Sequence, residues 1–134
     1  MKFLLDTNTC IIYLRGKNLI LKQKLELIEI QDITVCSIVK AELFYGAIKS
    51  ARPTQNLAVQ QQFLDQFVSL PFDDSSTIIF GTIRSRLEIL GTPIGPYDLQ
   101  IAAIALSQNL TLITHNTREF KRIDNLKIED WEIE

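Results

Sequence analysis

Short apolar runs separated by stretches of helical spacing set the strongest limit on what this chain can fold into. Lys2–Phe3–Leu4–Leu5–Asp6, a run that ends in Asp, and Ile33–Thr34–Val35–Cys36, Val68–Ser69–Leu70 and Leu110 to Thr114 are short and largely apolar, and Leu126 to Trp131 alternates. Such runs read as strands, the continuous ones covered on both faces. Between them, apolar residues recur three and four apart. The spacing predicts helices through Ile11, Ile12 and Leu14, then over 19–30, over 39–50 with Ser37 as N-cap, and over 57–67 after Pro53. Further helices are predicted from Asp74 or Ser75 to Leu90, over 97–108 with the small residues Ala102, Ala103 and Ala105, and over 116–121. Gly16 and Gly91 stand where helices stop. Strands that alternate with helices pair in parallel. The expected fold is therefore α/β: a single-domain α/β/α sandwich over 1–134 with a mainly parallel central sheet.

A chain of 134 residues can build one sizeable core without staples. Its 46% hydrophobic and 22% charged residues are ordinary for a globular protein. No leader with a basic start and an apolar run is evident, and no apolar stretch is long enough to span a membrane. The expected location is the cytoplasm. Cys10 and Cys36 belong to no CxxC pair, and His115 is the only histidine, so zinc lacks soft ligands. Both cysteines read as small buried hydrophobes. A net charge of −2 argues against a protein that coats nucleic acid with bulk positive charge. Walker A, GxGxxG and GxSxG loops are absent. Asp6 is followed by Asn8 rather than a second aspartate, so an Asp-x-Asp phosphotransferase is unsupported.

In parallel sheets the functional pocket lies beyond the carboxyl ends of the strands. Three predicted strands end there in polar sets: Asp6–Thr7–Asn8, Ser37, and Thr114–His115–Asn116. Acids join them. Asp6 directly follows a buried strand, where an unpartnered carboxylate costs several kcal/mol; a divalent cation is a natural partner. Glu42 lies within two turns of the start of its helix and reads either as a site residue or as part of an exposed face with Lys40 and Lys49. Asp98, after Gly95–Pro96, reads either as a site residue or as an acid favoured by a helix dipole. Glu119 falls in the short helix after the fourth strand. Mg²⁺ or Mn²⁺ would suit such oxygen donors and would let carboxylates and a phosphate share a site. RNA cleavage by paired histidines is excluded by the single His115.

These motifs, in this order and spacing, resemble a known family. Phe3–Leu4–Leu5–Asp6–Thr7–Asn8, Ser37-x₄-Glu42–Leu43-x₂-Gly46, Pro96–Tyr97–Asp98-x₂-Ile101–Ala102–Ala103 and Thr114-x-Asn116-x₂-Glu119–Phe120 follow the pattern of PIN-domain ribonucleases, specifically VapC toxins of bacterial VapBC toxin–antitoxin pairs. The likeness extends to the closing Ile128–Glu129–Asp130–Trp131. The run Gly91–Thr92–Pro93–Ile94–Gly95–Pro96–Tyr97–Asp98 is similar to the enteric branch that cleaves initiator tRNA in its anticodon stem–loop.

The resemblance implies a Mg²⁺-dependent endoribonuclease, with Mn²⁺ as a substitute. Asp6, Glu42, Asp98 and Glu119 would be catalytic. Asp6, Asp98 and Glu42 would bind metal, and Glu119 would do so directly or through water. Asn8, Ser37, Thr114 and Asn116 would support them. The resemblance further implies a homodimer, an RNA substrate of the tRNA class, and inhibition by a VapB-type antitoxin. The antitoxin would fill a groove along Ile11–Leu14 and Leu43–Ile48, with Tyr13 and Tyr45 as candidate lining. Basic residues at Arg15–Lys17–Lys22–Lys24, Arg84–Arg86 and Arg118–Lys121–Arg122 read either as RNA contacts or as solvated helix faces. The competing readings are a non-catalytic PIN-like scaffold that binds RNA or protein, and a flap-type DNase. Mutually repelling acids argue against the scaffold, and the short chain lacks elements for threading DNA.

Overall fold

The structure is a computed structural model that describes residues 1–134. Strands β1 (Phe3–Leu5), β2 (Ile33–Cys36), β3 (Val68–Leu70), β4 (Thr111–Ile113) and β5 (Ile128–Glu129) form one sheet. Its order is β3-β2-β1-β4-β5 and every pairing is parallel. The helices are α1 (Thr7–Arg15), α2 (Leu19–Leu27), α3 (Ser37–Ile48), α4 (Pro53–Leu64), α5 (Asp74–Ile89), α6 (Pro96–Ser107) and α7 (Thr117–Phe120), with a 3₁₀ turn at Ile30–Asp32.

The strand order reverses between β1 and β4. From β1 the chain steps outward through β2 to β3, then returns to β4 and continues to β5. A crevice opens at such a switch point, beyond the strand ends. Leu4, Leu5, Val35, Leu112 and Ile113 are fully buried in the sheet, as the unbroken apolar runs require. Helix α6 buries Leu99 and everything from Ile101 to Ala105; its alanines permit close packing in the interior. By contrast β3 is an edge strand, and Val68 is exposed.

Local chemistry moves several boundaries from the sequence expectation. Helix α2 stops at Leu27, because Ile28 turns extended and the 3₁₀ turn follows. The Lys2 amide then donates to the Asp32 carbonyl, which ties that turn to the N-terminal strand. Helix α3 starts at Ser37 itself, with Cys36 in the cap position and no capping bond from the Ser37 hydroxyl. Asp73, rather than Asp74 or Ser75, caps α5 by accepting from the Ser76 amide at 3.2 Å. Helix α4 ends at Leu64, short of the predicted 67. Gly16 and Gly91 hold positive φ of 72° and 74°, a conformation that favours glycine and ends a helix. The closing segment is anchored by Trp131, whose ring packs edge-on to Phe3 at 5.0 Å.

Candidate active site

Asp6 leaves β1 at the switch point and caps α1. Its amide donates to the Ile113 carbonyl of β4 at 3.0 Å. One carboxylate oxygen accepts from the Thr7 amide at 2.9 Å; the other accepts from the Thr114 hydroxyl at 2.8 Å. Asp6 is 4% exposed and Thr114 1%. The Thr114 hydroxyl in turn accepts from the Asn116 amide at 3.0 Å. Burial pushes the Asp6 carboxyl above the ordinary aspartate range. The bonds from Thr114 and Thr7 oppose that shift, and Glu42 and Glu119 add to it.

Glu42 reaches the same crevice from α3 and accepts from the Thr7 hydroxyl at 2.7 Å. Thr7 therefore links two acids, its amide to Asp6 and its hydroxyl to Glu42. Sequence reasoning placed Thr7 in the polar set at the end of the first strand but gave it no role at the site. Nothing in a single sequence signals that its hydroxyl faces another helix. Glu119, in the first turn of α7, accepts from the Asn116 side-chain amide.

Asp98 sits in the first turn of α6. A carboxylate serving only the helix dipole would be stabilised as an anion. Here the shift runs the other way: the Asp98 carboxyl is pushed up to about 7, first by burial, then by Asp6, Glu119 and Glu42. Repulsion and desolvation outweigh the dipole. No basic side chain answers the cluster, and the ion pairs of the molecule all lie elsewhere.

The other candidates separate. Asn8 is exposed and makes no side-chain hydrogen bond to the acids; neither does Ser37, at the first position of α3. Thr114 and Asn116 hold Asp6 and Glu119 directly. His115 turns away, its Nδ1 lying 2.9 Å from Asp130. Burial pushes the Cys36 thiol up to about 11 and raises that of Cys10 as well, so neither offers a thiolate. The crevice thus offers carboxylate oxygens held by hydroxyls and an amide, with no thiolate or imidazole among them, which fits a hard divalent cation. No three of the four acids bring their oxygens within 4.8 Å of one another; the trio that does is His115, Asp130 and Glu132.

Comparison with known proteins places this arrangement. Residues 3–126 match the model of the PIN domain. The chain is 43% identical to the tRNA(fMet)-specific endonuclease VapC of Salmonella typhimurium and 39% identical to that of Shigella flexneri, over 98% of each chain. The chain belongs to the PIN-domain family, among the VapC proteins. A crystal structure of DNA-bound VapBC from Salmonella typhimurium superposes with a TM-score of 0.92 over 98% of both chains. The structure of FitAcB from Neisseria gonorrhoeae, 28% identical, gives 0.87 over 96% of this chain and 97% of that one.

This PIN domain also carries the expected groove between α1 and α3, closed by α4. It measures about 400 Å³, is lined by Ile11, Leu14, Leu43, Ala47 and Val59, and has Glu42 in its wall. Neither tyrosine expected there takes part. Tyr13 stacks on Phe63 at 5.0 Å and donates to Glu26 at 3.3 Å. Tyr45 projects from another face of α3, beside Tyr97. The basic clusters are partly engaged as well: Arg86 pairs with Asp124 at 2.8 Å, and Lys24 donates to the Ile133 carbonyl at 2.7 Å.

Proposed function

We propose that this chain is the toxin half of a VapBC-type pair and hydrolyses RNA phosphodiester bonds at the crevice between β1 and β4. The observation that supports this most directly is the Asp98 carboxyl, held near 7 by burial and three neighbouring acids with no cation facing it. A cluster so built costs stability unless a cation enters, which a scaffold would not need.

Asp6, Glu42 and Asp98 are the groups that would hold Mg²⁺ or Mn²⁺, with Glu119 contributing directly or through water. When bound, the ion supplies an activated water and offsets charge on the phosphate oxygens. Thr7 and Thr114 fix the carboxylates of Glu42 and Asp6 from outside, and Asn116 fixes that of Glu119. Such outer partners keep a buried acid ionised and aimed.

The substrate we assign is tRNA, with the initiator tRNA anticodon stem–loop as the favoured case. Two relatives at 43% and 39% identity carry that specificity in their names, and the Gly91 to Asp98 run carries the likeness at the site. The partner is a VapB-type antitoxin: structural neighbours include VapBC complexes. Its apolar segment would lie in the α1–α3–α4 groove, whose wall includes Glu42. We further assign a homodimer, a single domain over 1–134, and action in the cytoplasm, where free Cys10 and Cys36 stay reduced.

The test is cleavage of total tRNA by the purified chain with Mg²⁺ or Mn²⁺, beside Asp6→Asn and a chelator. The expected result is metal-dependent cutting that Asp6→Asn abolishes. Equal cutting by both chains would sink the mechanism. Cuts mapped outside the anticodon arm would remove the substrate assignment and keep the reaction.

A further inference from the structure

The second cavity that touches Glu42 differs in chemistry from the aliphatic groove. Ile38, Ala41, Glu42 and Tyr45 share one face of α3 and, with Tyr97 from the first turn of α6, line a space of about 370 Å³. That volume lies within the range of small-ligand pockets. Glu42 forms part of the cavity wall, and Tyr97, also in its lining, directly precedes Asp98. Two aromatic rings stand in water there: Tyr45 is 65% exposed and Tyr97 59%. Lys49, one turn beyond Tyr45, holds its ammonium 4.6 Å from the Tyr45 ring centroid. Lys49 is exposed and forms no ion pair.

We infer that Tyr45 and Tyr97 form a stacking pocket for an unpaired nucleobase flanking the cleaved phosphate, with Lys49 placed for the next phosphate along the strand. The inference rests on the ribonuclease reading and names how the substrate is held. Glu42, Tyr45 and Lys49 lie three and four residues apart, so one face of α3 presents in sequence an acid, a ring and a cation over roughly 10 Å. A single RNA strand offers phosphate, base and phosphate in turn, and the first phosphate would meet Glu42 only through a divalent cation between the two anions. Aromatic faces bind unstacked bases in loops and single strands whatever their identity. The lining carries no amide to read a base edge. The pocket therefore holds a base by its face and sets the register of the strand against the acids. The groove on the other side of Glu42 has no aromatic ring, so stacking on a ring is offered on the tyrosine side alone.

The experiment compares cleavage of a stem–loop RNA by the full chain and by Tyr45→Ala, Tyr97→Ala, Tyr45→Phe, Tyr97→Phe and Lys49→Gln, with Mg²⁺. Each alanine variant is expected to lower kcat/KM roughly tenfold, and each phenylalanine variant to restore it. Replacing the base beside the cut by an abasic nucleotide should cost the unaltered chain a similar factor. It should cost a chain carrying both Tyr45→Ala and Tyr97→Ala nothing more, because both rings and the base are then gone. Lys49→Gln should reduce the salt dependence of RNA binding by about one phosphate contact. Alanine variants that cleave like the parent, or an abasic penalty that persists in the double variant, would overturn the inference. So would conversion of a dimer to a monomer in sedimentation, since that outcome makes the surface an interface between copies. If an alanine variant melts early, the abasic substrate on the unaltered chain decides alone, and an undiminished rate overturns the pocket. Absence of any cleavage by the unaltered chain would instead remove the ribonuclease reading on which this one rests.

Discussion

Two acidic clusters lie at the same carboxyl edge of the sheet, and they differ in what answers their charge. Around β1 and β4, Asp6, Glu42, Asp98 and Glu119 face one another with hydroxyls and amides for company and no base. After β4 and β5, Asp130 and Glu132 meet His115, and Asp130 holds the ring at 2.9 Å. The second cluster contains its own cation whenever His115 is protonated. Asp130 and Glu132 accordingly raise the His115 pKa, the hydrogen bond that the ring donates to Asp130 most of all. The first cluster has no internal answer, and Asp98 rises to about 7 instead. A structural ion pair is complete within the chain, whereas an unanswered set of buried acids calls for something from outside it.

The largest expected effect follows from emptying the first cluster of its outside partner. Asp6→Asn, or a chelator added to the parent, should lower tRNA cleavage by about a hundredfold or more, read as initial rate. His115→Ala should leave that rate within about twofold. Loss of cleavage in His115→Ala with retention in Asp6→Asn would invert the comparison. A smaller effect is expected from Thr114→Val, which leaves Asp6 buried without its hydroxyl partner. Divalent-metal affinity by calorimetry should fall roughly tenfold or more, and denaturant unfolding at neutral pH should show a loss of about 1–3 kcal/mol. An unchanged affinity would mean that Thr114 supports the strand end and not the acid.

The layered fold was legible because the strands are short, apolar and covered on both faces, so that their sequence carries little else. Ile33–Cys36 could be placed to the residue, and the first strand within the run Lys2–Asp6. Helix ends were less legible, since they depend on which neighbour accepts a free amide. Asp73 won over Asp74 and Ser75 because its carboxylate reaches the Ser76 amide. At the site, Asp6 stood out through its strand, while Asp98 and Glu42 were ambiguous alone. Their convergence is a tertiary fact, created where α3 brings its second turn and α6 its first turn to the β1–β4 crevice. Thr7 was missed for the same reason: its hydroxyl finds Glu42 only across a gap of 35 residues. Tyr45 was assigned to the wrong cavity, because helical spacing gives a face but not the neighbour on that face.

The pH dependence of stability sharpens the contrast further. In the absence of divalent metal, Asp98 has a folded pKa near 7 against an ordinary 3.8. The folded state therefore binds this proton more tightly than the unfolded state. The stability it contributes is complete below 3.8 and is lost as pH rises towards 7. Asp6 is shifted in the same direction. The melting temperature of the metal-free chain should fall by a few degrees across that window. Asp98→Asn should flatten the fall and leave a variant more stable than its parent at pH 8. Added Mg²⁺ should restore the parent and do little for the variant. A parent with no slope between 4 and 7 would show that the acids are hydrated rather than desolvated.

The smallest effect belongs to the second cluster and carries the same sign in a different window. His115 has its pKa raised above 6.5 by Asp130 and Glu132. Its stabilising charge is complete below 6.5 and disappears as pH climbs through the raised folded value. The ring is exposed, so solvent screens the pair and limits its worth to a few tenths of a kcal/mol. His115→Ala should therefore lower stability slightly at pH 6 and not at all at pH 9, with high salt erasing the difference at pH 6. Mg²⁺ should leave that small loss unchanged, because the pair is already complete. If Mg²⁺ instead stabilised the parent more than His115→Ala, the two clusters would share an ion or a network, and the division between a self-sufficient pair and an unanswered crevice would fail.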